Sequence, residues 1–199
     1  PVPYAAFLNL APDFKILSFS PELFLERTDD DLKCSLMKGT ARRDPHGTRD
    51  AEIARTLSDD PKNRAENLMI TDMVRNDFGR ICRPGSIRVD PMFHVETYQT
   101  VHQMISTVHG NLREKTSLFD ILGATFPPAS ITGAPKISAV NLLRKVETSP
   151  RGVYTGTIGC FAGDGSFCLN VAIRTLLCTP EKTELGIGGG ITWYSDPAE

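Results

Sequence analysis

The 199-residue sequence has one tryptophan, four histidines and no CxxC pair, and no histidine stands at zinc spacing from a cysteine. A structural zinc site is excluded. No apolar run approaches the roughly 20 residues that span a bilayer, and the start carries no basic and apolar leader pattern, so no membrane partner is expected. The charge balance lacks a sign: a net charge of -2 and a pI near 6.1 give no positive field for a nucleic acid. The odd set Cys34, Cys82, Cys160, Cys168 and Cys178 reads as buried thiols in a reducing compartment, which predicts a cytoplasmic protein. No internal repeat, low-complexity tract or linker divides the chain. What is there is an ordinary globular composition, 40% hydrophobic and 23% charged, long enough for one core and suited to a small-molecule site.

The chain opens on Pro1 and runs directly into Tyr4-Ala5-Ala6-Phe7-Leu8-Asn9-Leu10, and it closes on Ser195-Asp196-Pro197-Ala198-Glu199 after a glycine-rich segment. Both ends read as cuts. The expectation is one catalytic domain over residues 1–199, incomplete at both termini.

Short apolar bursts from Tyr4 to Met37, separated by Pro12-Asp13, Ser20-Pro21 and Asp29-Asp30-Asp31, predict an antiparallel meander. The period changes near Asp50. Pro61 then leads a helix through Arg64 to Val74, with Glu66, Ile70, Met73 and Asp77 on one face. Ile87 to Val89 and Tyr98 to Val108 read as strands, Leu118 to Ala124 as a short helix, and Thr132-Gly133-Ala134-Pro135 as a loop feeding a helix over Lys136 to Val146. Three strands are expected after it, Val153 to Phe161, Phe167 to Leu177 and Glu184 to Ile191. Strands grouped at both ends with helices between predict an α+β fold.

Four places combine charge or glycine with apolar surroundings. Lys38, after an apolar strand and before Gly39-Thr40, is ordinarily a solvated strand-end lysine. Kept from water, its amine would be a nucleophile or base. Glu22, at the Ser20-Pro21-Glu22 turn, is a surface acid or, on a neighbouring strand, an acid facing that lysine across one substrate. Glu66, on a helix whose charged face is ordinarily solvated, shares a stripe with Ile70 and Met73, where a carboxylate is costly without a cation or hydrogen-bond partners; hard oxygen ligands suit Mg2+. Glycines in Gly186-Ile187-Gly188-Gly189-Gly190-Ile191 let backbone approach a ligand, and Arg174 is either half of an internal salt bridge or a carboxylate clamp.

In this order the segments resemble the signature set of the chorismate-utilising enzymes, the anthranilate and aminodeoxychorismate synthase family. The resemblance runs through Ser20-Pro21-Glu22, Lys38-Gly39-Thr40 with Arg42, Glu66 to Ile70, Asp72 and Arg75-Asn76-Asp77, and Val101 to Ser106. It continues through Phe126-Pro127, Ser130-Ile131-Thr132-Gly133-Ala134-Pro135-Lys136, Arg151-Gly152-Val153-Tyr154-Thr155-Gly156, Ala172 to Thr175, Gly188 to Ile191 and Ser195-Asp196-Pro197. It implies a chorismate-binding fold of two mixed or antiparallel sheets sandwiched with helices outside, and Mg2+-dependent chemistry on chorismate. Glu66 matches a magnesium glutamate; a second lies past Glu199 in the family. Thr40, Tyr154, Arg174, Gly188 and Gly190 match positions holding the substrate's carboxylates, Thr132 and Gly133 the loop closing over the ring, and Glu22 the general acid for loss of the C4 hydroxyl.

Lys38 resembles the lysine by which the aminodeoxychorismate synthase branch attacks C2, directing ammonia to C4; the anthranilate branch has alanine there. The histidine that anthranilate synthases place third in a Val-x-His segment is Gln103 in Val101-His102-Gln103. No Cys-His-Glu glutaminase signature is visible, so the resemblance implies ammonia from a glutamine amidotransferase, fused or separate. The rivals are an anthranilate synthase, a PLP-dependent aminotransferase, for which a phosphate cradle and pyridinium partner are lacking, and an inactive interaction paralogue.

Overall fold

The computed structural model describes residues 2–192 and Ser195. Strands β1 (Tyr4–Ala11), β2 (Phe14–Ser20), β3 (Leu23–Thr28) and β4 (Asp31–Arg42) form the expected meander. Helices α1 (Gly47–Asp59) and α2 (Pro61–Gly79) follow, then β5 (Arg88–Val89), β6 (His94–Thr97), β7 (Val101–Asn111), α3 (Leu118–Thr125), a 3-10 turn at Ala129–Ile131 and α4 (Lys136–Val146). The last strands are β8 (Thr157–Phe161), β9 (Phe167–Val171), β10 (Thr175–Cys178) and β11 (Thr183–Leu185).

Two antiparallel sheets result, a four-stranded one in the order β1-β2-β10-β11 and a seven-stranded one in the order β5-β7-β4-β3-β9-β8 with β6 also on β7. The α+β expectation is borne out. The chain passes between the sheets twice, at Pro21-Glu22 and at Ala172-Ile173-Arg174, and the two passages are tied together. Phe19 N–H donates to the Arg174 carbonyl at 3.0 Å, Val171 N–H to the Glu22 carbonyl at 3.1 Å, and Ser20 Oγ to the Val171 carbonyl at 2.6 Å. The apolar run from Phe167 to Leu177 is therefore two strands in two sheets. Arg174 breaks it with φ 51, a region that side chains with a Cβ seldom enter.

The core lies between the seven-stranded sheet and the helices: Leu25, Leu32, Leu36, Val108 and Leu169 meet Ile70, Val74 and Phe78 of α2 and Ile121 of α3. Each such side chain contributes on the order of 2 kcal/mol on burial. Helix α2 begins where Asp60 accepts from Asn63 N–H at 2.7 Å with Pro61 in the first turn. Its buried face is Asn67, Ile70, Thr71, Val74, Asp77 and Phe78, so Glu66 and Met73 flank the core rather than enter it. The spacing missed Asn67 and Thr71 because they are polar; Thr71 is satisfied by Asn67, and Asn67 by the sheet at Lys38 and Ser106.

Helix α1 follows the change of period near Asp50 and has a low apolar content, which hides it from a periodicity reading. The thiols differ from expectation: Cys34 and Cys82 are buried, Cys168 and Cys178 half-buried and Cys160 exposed. Among the described residues no helix is long and apolar enough to cross a membrane.

Candidate functional site

The site begins with an irregularity in β4. Met37 pairs with Ile105 and Thr40 with Gln103, so Lys38 and Gly39 together oppose Met104 alone. That is a β-bulge, a device that bends a strand and re-aims a side chain. Gly39 adopts φ 98, and a Cβ there would come within 3.1 Å of Asn63 Oδ1 and 3.2 Å of the Met104 Cβ, so position 39 needs glycine for conformation and for space. The bulge carries Lys38 toward the glycine-rich segment: a Cβ on Gly190 would lie 3.7 Å from Lys38 Nζ.

Glu22 occupies the first passage between sheets and is 6% exposed. Burial pushes its carboxyl up from 4.5 to about 7, against the opposing pull of Ser130, the Lys38 charge and the Met37 backbone N–H. Ser130 Oγ lies beside this carboxyl, buried, without a hydrogen bond of acceptable geometry. Near neutral pH Glu22 is thus divided between acid and carboxylate, the condition for a general acid. Lys38 is close enough for its charge to act on Glu22, as the functional reading of the two neighbouring strands expected.

Tyr154 stands between the turn that precedes β8 and the glycine-rich segment. Side chains at Gly186 or Gly188 would strike it, a Cβ falling 2.2 Å from the Tyr154 ring at Gly186 and 2.7 Å from its hydroxyl at Gly188. The next residue, Thr155, is held at φ 64 and accepts from Arg151 at 3.3 Å, while the same guanidinium nitrogen donates to the Ile131 carbonyl at 3.0 Å. Arg151 therefore joins the tyrosine turn to the Thr132-Gly133 loop. That loop is fastened at its far end by Lys136, which reaches Asp77 at 2.5 Å and the Thr125 carbonyl at 2.9 Å. Sequence reasoning gave Arg151, Lys136, Asp77 and Asn67 no role. Two of them carried a signal: a cation at Lys136 in the first turn of a helix opposes the helix dipole and calls for an acid partner, and Asp77 falls on the inward stripe of α2.

Thr40, beyond the bulge, donates to Gln103 Oε1 at 3.1 Å. Thr132 donates back to the Pro128 and Ala129 carbonyls, and a Cβ on Gly133 would meet Ala139 at 3.0 Å. Arg174 is exposed at the second passage, without an ion pair among the described residues. Glu66 is half-buried on α2, one residue before the buried Asn67, and none of the hydrogen bonds or ion pairs among the described residues uses it. Among the described residues no three His, Cys, Asp or Glu gather as a metal site. A single half-buried carboxylate without a partner does suit Mg2+, which takes one or two protein oxygens and keeps its waters. A groove beside α3, lined by Arg80, Arg113, Lys115 and Phe119, contains none of these residues.

The comparisons agree with this geometry. The family model described as chorismate binding enzyme matches residues 1–199. The chain is 45% identical to an aminodeoxychorismate synthase of Streptomyces griseus over 100% of its own length and 28% of that protein's, and 40% identical to an anthranilate synthase component 1 of Haloarcula marismortui over 99% and 40%. It superposes on the crystal structure of anthranilate synthase component I from Streptococcus pneumoniae with a TM-score of 0.83 at 32% identity, covering 92% of this chain and 40% of that one. It thus spans about a quarter of the length of the first of these relatives. The chain belongs to the chorismate-binding enzymes.

Proposed function

We propose that this chain is the chorismate-converting part of an aminodeoxychorismate synthase, turning chorismate and ammonia into 4-amino-4-deoxychorismate, the precursor of 4-aminobenzoate and folate. The observation that carries the reading is Lys38, delivered by a bulge beside a buried carboxyl that keeps its proton up to about pH 7.

The Lys38 amine attacks C2 of the ring, the double bonds shift, and the C4 hydroxyl leaves as water with the proton of Glu22. Ammonia then adds at C4, the double bonds shift back, and the lysine amine is released. Glu22, now a carboxylate, regains a proton from the incoming nitrogen. With C2 occupied by Lys38, nitrogen is directed to C4. Thr40, Tyr154, Arg174 and the backbone of Gly188 and Gly190 hold the substrate's carboxylates, and Thr132 and Gly133 cover the ring. Glu66 would hold Mg2+, which supplies charge neutralisation at the ring carboxylate.

Ammonia comes from a glutamine amidotransferase, a fused domain or a partner subunit. The Haloarcula and Streptococcus relatives name the rival, anthranilate formation, in which nitrogen enters at C2. Incubating the full-length protein with chorismate, Mg2+ and an ammonium salt separates the two. 4-Amino-4-deoxychorismate is expected; fluorescent anthranilate as the product would overturn the reading.

A further inference from the structure

The bulge at Lys38-Gly39 leaves backbone groups of β4 without ladder partners, and a carbonyl so exposed inside a packed region must be held by something else. The group that meets it is Asn67 of α2, whose Nδ2 donates to the Lys38 carbonyl at 3.4 Å. Asn67 is completely buried.

The rest of its amide is committed. Ser106 Oγ, on β7, accepts from Phe93 N–H at 3.0 Å, which leaves the Ser106 hydroxyl hydrogen for Asn67 Oδ1 at 2.6 Å. Thr71 Oγ1 donates mainly to the Asn67 backbone carbonyl, at 2.8 Å, and lies 3.4 Å from the amide oxygen Oδ1. With its oxygen engaged by a donor, the amide can present only its NH2 to Lys38. The helix thereby holds the backbone of the proposed nucleophile through Asn67, and the partner strand, through Ser106, orients the amide that does so. Ser106 on the strand fixes the oxygen end of that amide, at 2.6 Å.

We propose that Asn67 is a positioning residue that sets the bulge conformation of Lys38 and so the reach of its Nζ. The proposal rests on the reading of Lys38 as nucleophile. Loss of the NH2 frees the carbonyl, lets the bulge migrate along β4, and moves the amine from its line of attack. Misplacement of that kind by about 1 Å lowers turnover on the order of 100-fold.

The test uses the full-length protein as Asn67→Asp, Asn67→Ala and Ser106→Ala. Asn67→Asp keeps the shape and the acceptor for Ser106 but cannot donate to Lys38. Two properties are read in variants whose melting is cooperative. The first is kcat and KM for chorismate, with the Mg2+ concentration giving half-maximal rate. The second, independent of turnover, is the rate at which an amine-selective acylating reagent labels Lys38, followed by peptide mass spectrometry against exposed Lys182 in the same sample.

Asn67→Asp is expected to lower kcat by about 100-fold, to leave KM and the Mg2+ requirement unchanged, and to speed labelling of Lys38 relative to Lys182. Ser106→Ala is expected to do the same to a smaller degree. Unchanged labelling and kcat in a folded Asn67→Asp would overturn the proposal, and so would a loss of kcat matched by a raised Mg2+ requirement, which would assign Asn67 to Glu66 instead. Should Asn67→Asp fail to fold, Ser106→Ala decides by the same two readings. Faster labelling in a protein whose wild type makes no 4-amino-4-deoxychorismate would leave the positioning intact and remove the functional reading.

Discussion

Lys38 and burial act in opposite directions on Glu22: the lysine charge pulls the Glu22 proton off, burial holds it on, and burial wins, leaving the carboxyl at about 7. The unfolded chain releases this proton near 4.5 and the folded chain near 7, so between those values the folded state binds the extra proton. Stability from this group is complete below pH 4.5 and is lost as pH rises to about 7, by roughly 3 kcal/mol. Denaturant midpoints at pH 5 and pH 8 check it: Glu22→Gln should narrow the difference between the two. Turnover of the proposed reaction needs the protonated form and should decline above pH 7, and a rate that climbs through that range would remove Glu22 as the acid.

The glycine-rich segment separates space from flexibility. A Cβ at Gly188 would collide with the Tyr154 hydroxyl, whereas a Cβ at Gly189 meets nothing within 4 Å. Gly188→Ala is expected to push Tyr154 aside and raise KM for chorismate by about 10-fold or more, the equivalent of about 1.4 kcal/mol of lost binding. Gly189→Ala should leave KM unchanged. Equal effects at both positions would mean that the segment needs mobility, not clearance.

Lys136 and Asp77 form an ion pair in which both side chains are more than four-fifths buried. Burial raises the Asp77 carboxyl, and the Lys136 hydrogen bond and charge pull it down. Lys136→Met strands a buried acid and is expected to cost about 3 kcal/mol in denaturant unfolding. Adding Asp77→Asn should restore much of that stability. Because the pair fastens the Thr132-Gly133 loop to α2, KM for chorismate should stay raised in the stabilised double variant. A double variant with normal KM would make the pair a matter of folding alone.

Much of this was legible in the sequence. The meander from Tyr4 to Met37, the Pro61 helix start and the helix from Lys136 to Val146 follow local rules of turn chemistry and period, and all three are in the structure. The break at Arg174 was not, because an apolar run reads the same whether it stays in one sheet or changes sheets at one left-handed residue. The inward face of α2 was read correctly at Ile70 and Asp77 and missed at Asn67 and Thr71, because Asn67 is bonded to β4 and β7, up to 39 positions away, and Thr71 to Asn67. Glu22 and Lys38 were visible as charges in apolar surroundings and as a candidate pair on neighbouring strands, but the bulge at Lys38-Gly39 is a matter of register, which no single strand encodes.

The central claim is that Lys38 becomes covalently bonded to the ring during turnover. The most direct measurement is to mix the full-length protein with chorismate and Mg2+ in the absence of ammonia, quench with acid, and map the peptides by mass spectrometry. The account predicts a Lys38 peptide heavier by one chorismate less one water, absent from Glu22→Gln and discharged when ammonium is added before the quench. An unmodified Lys38 peptide, in a protein that still releases 4-amino-4-deoxychorismate once ammonium is supplied, would contradict it.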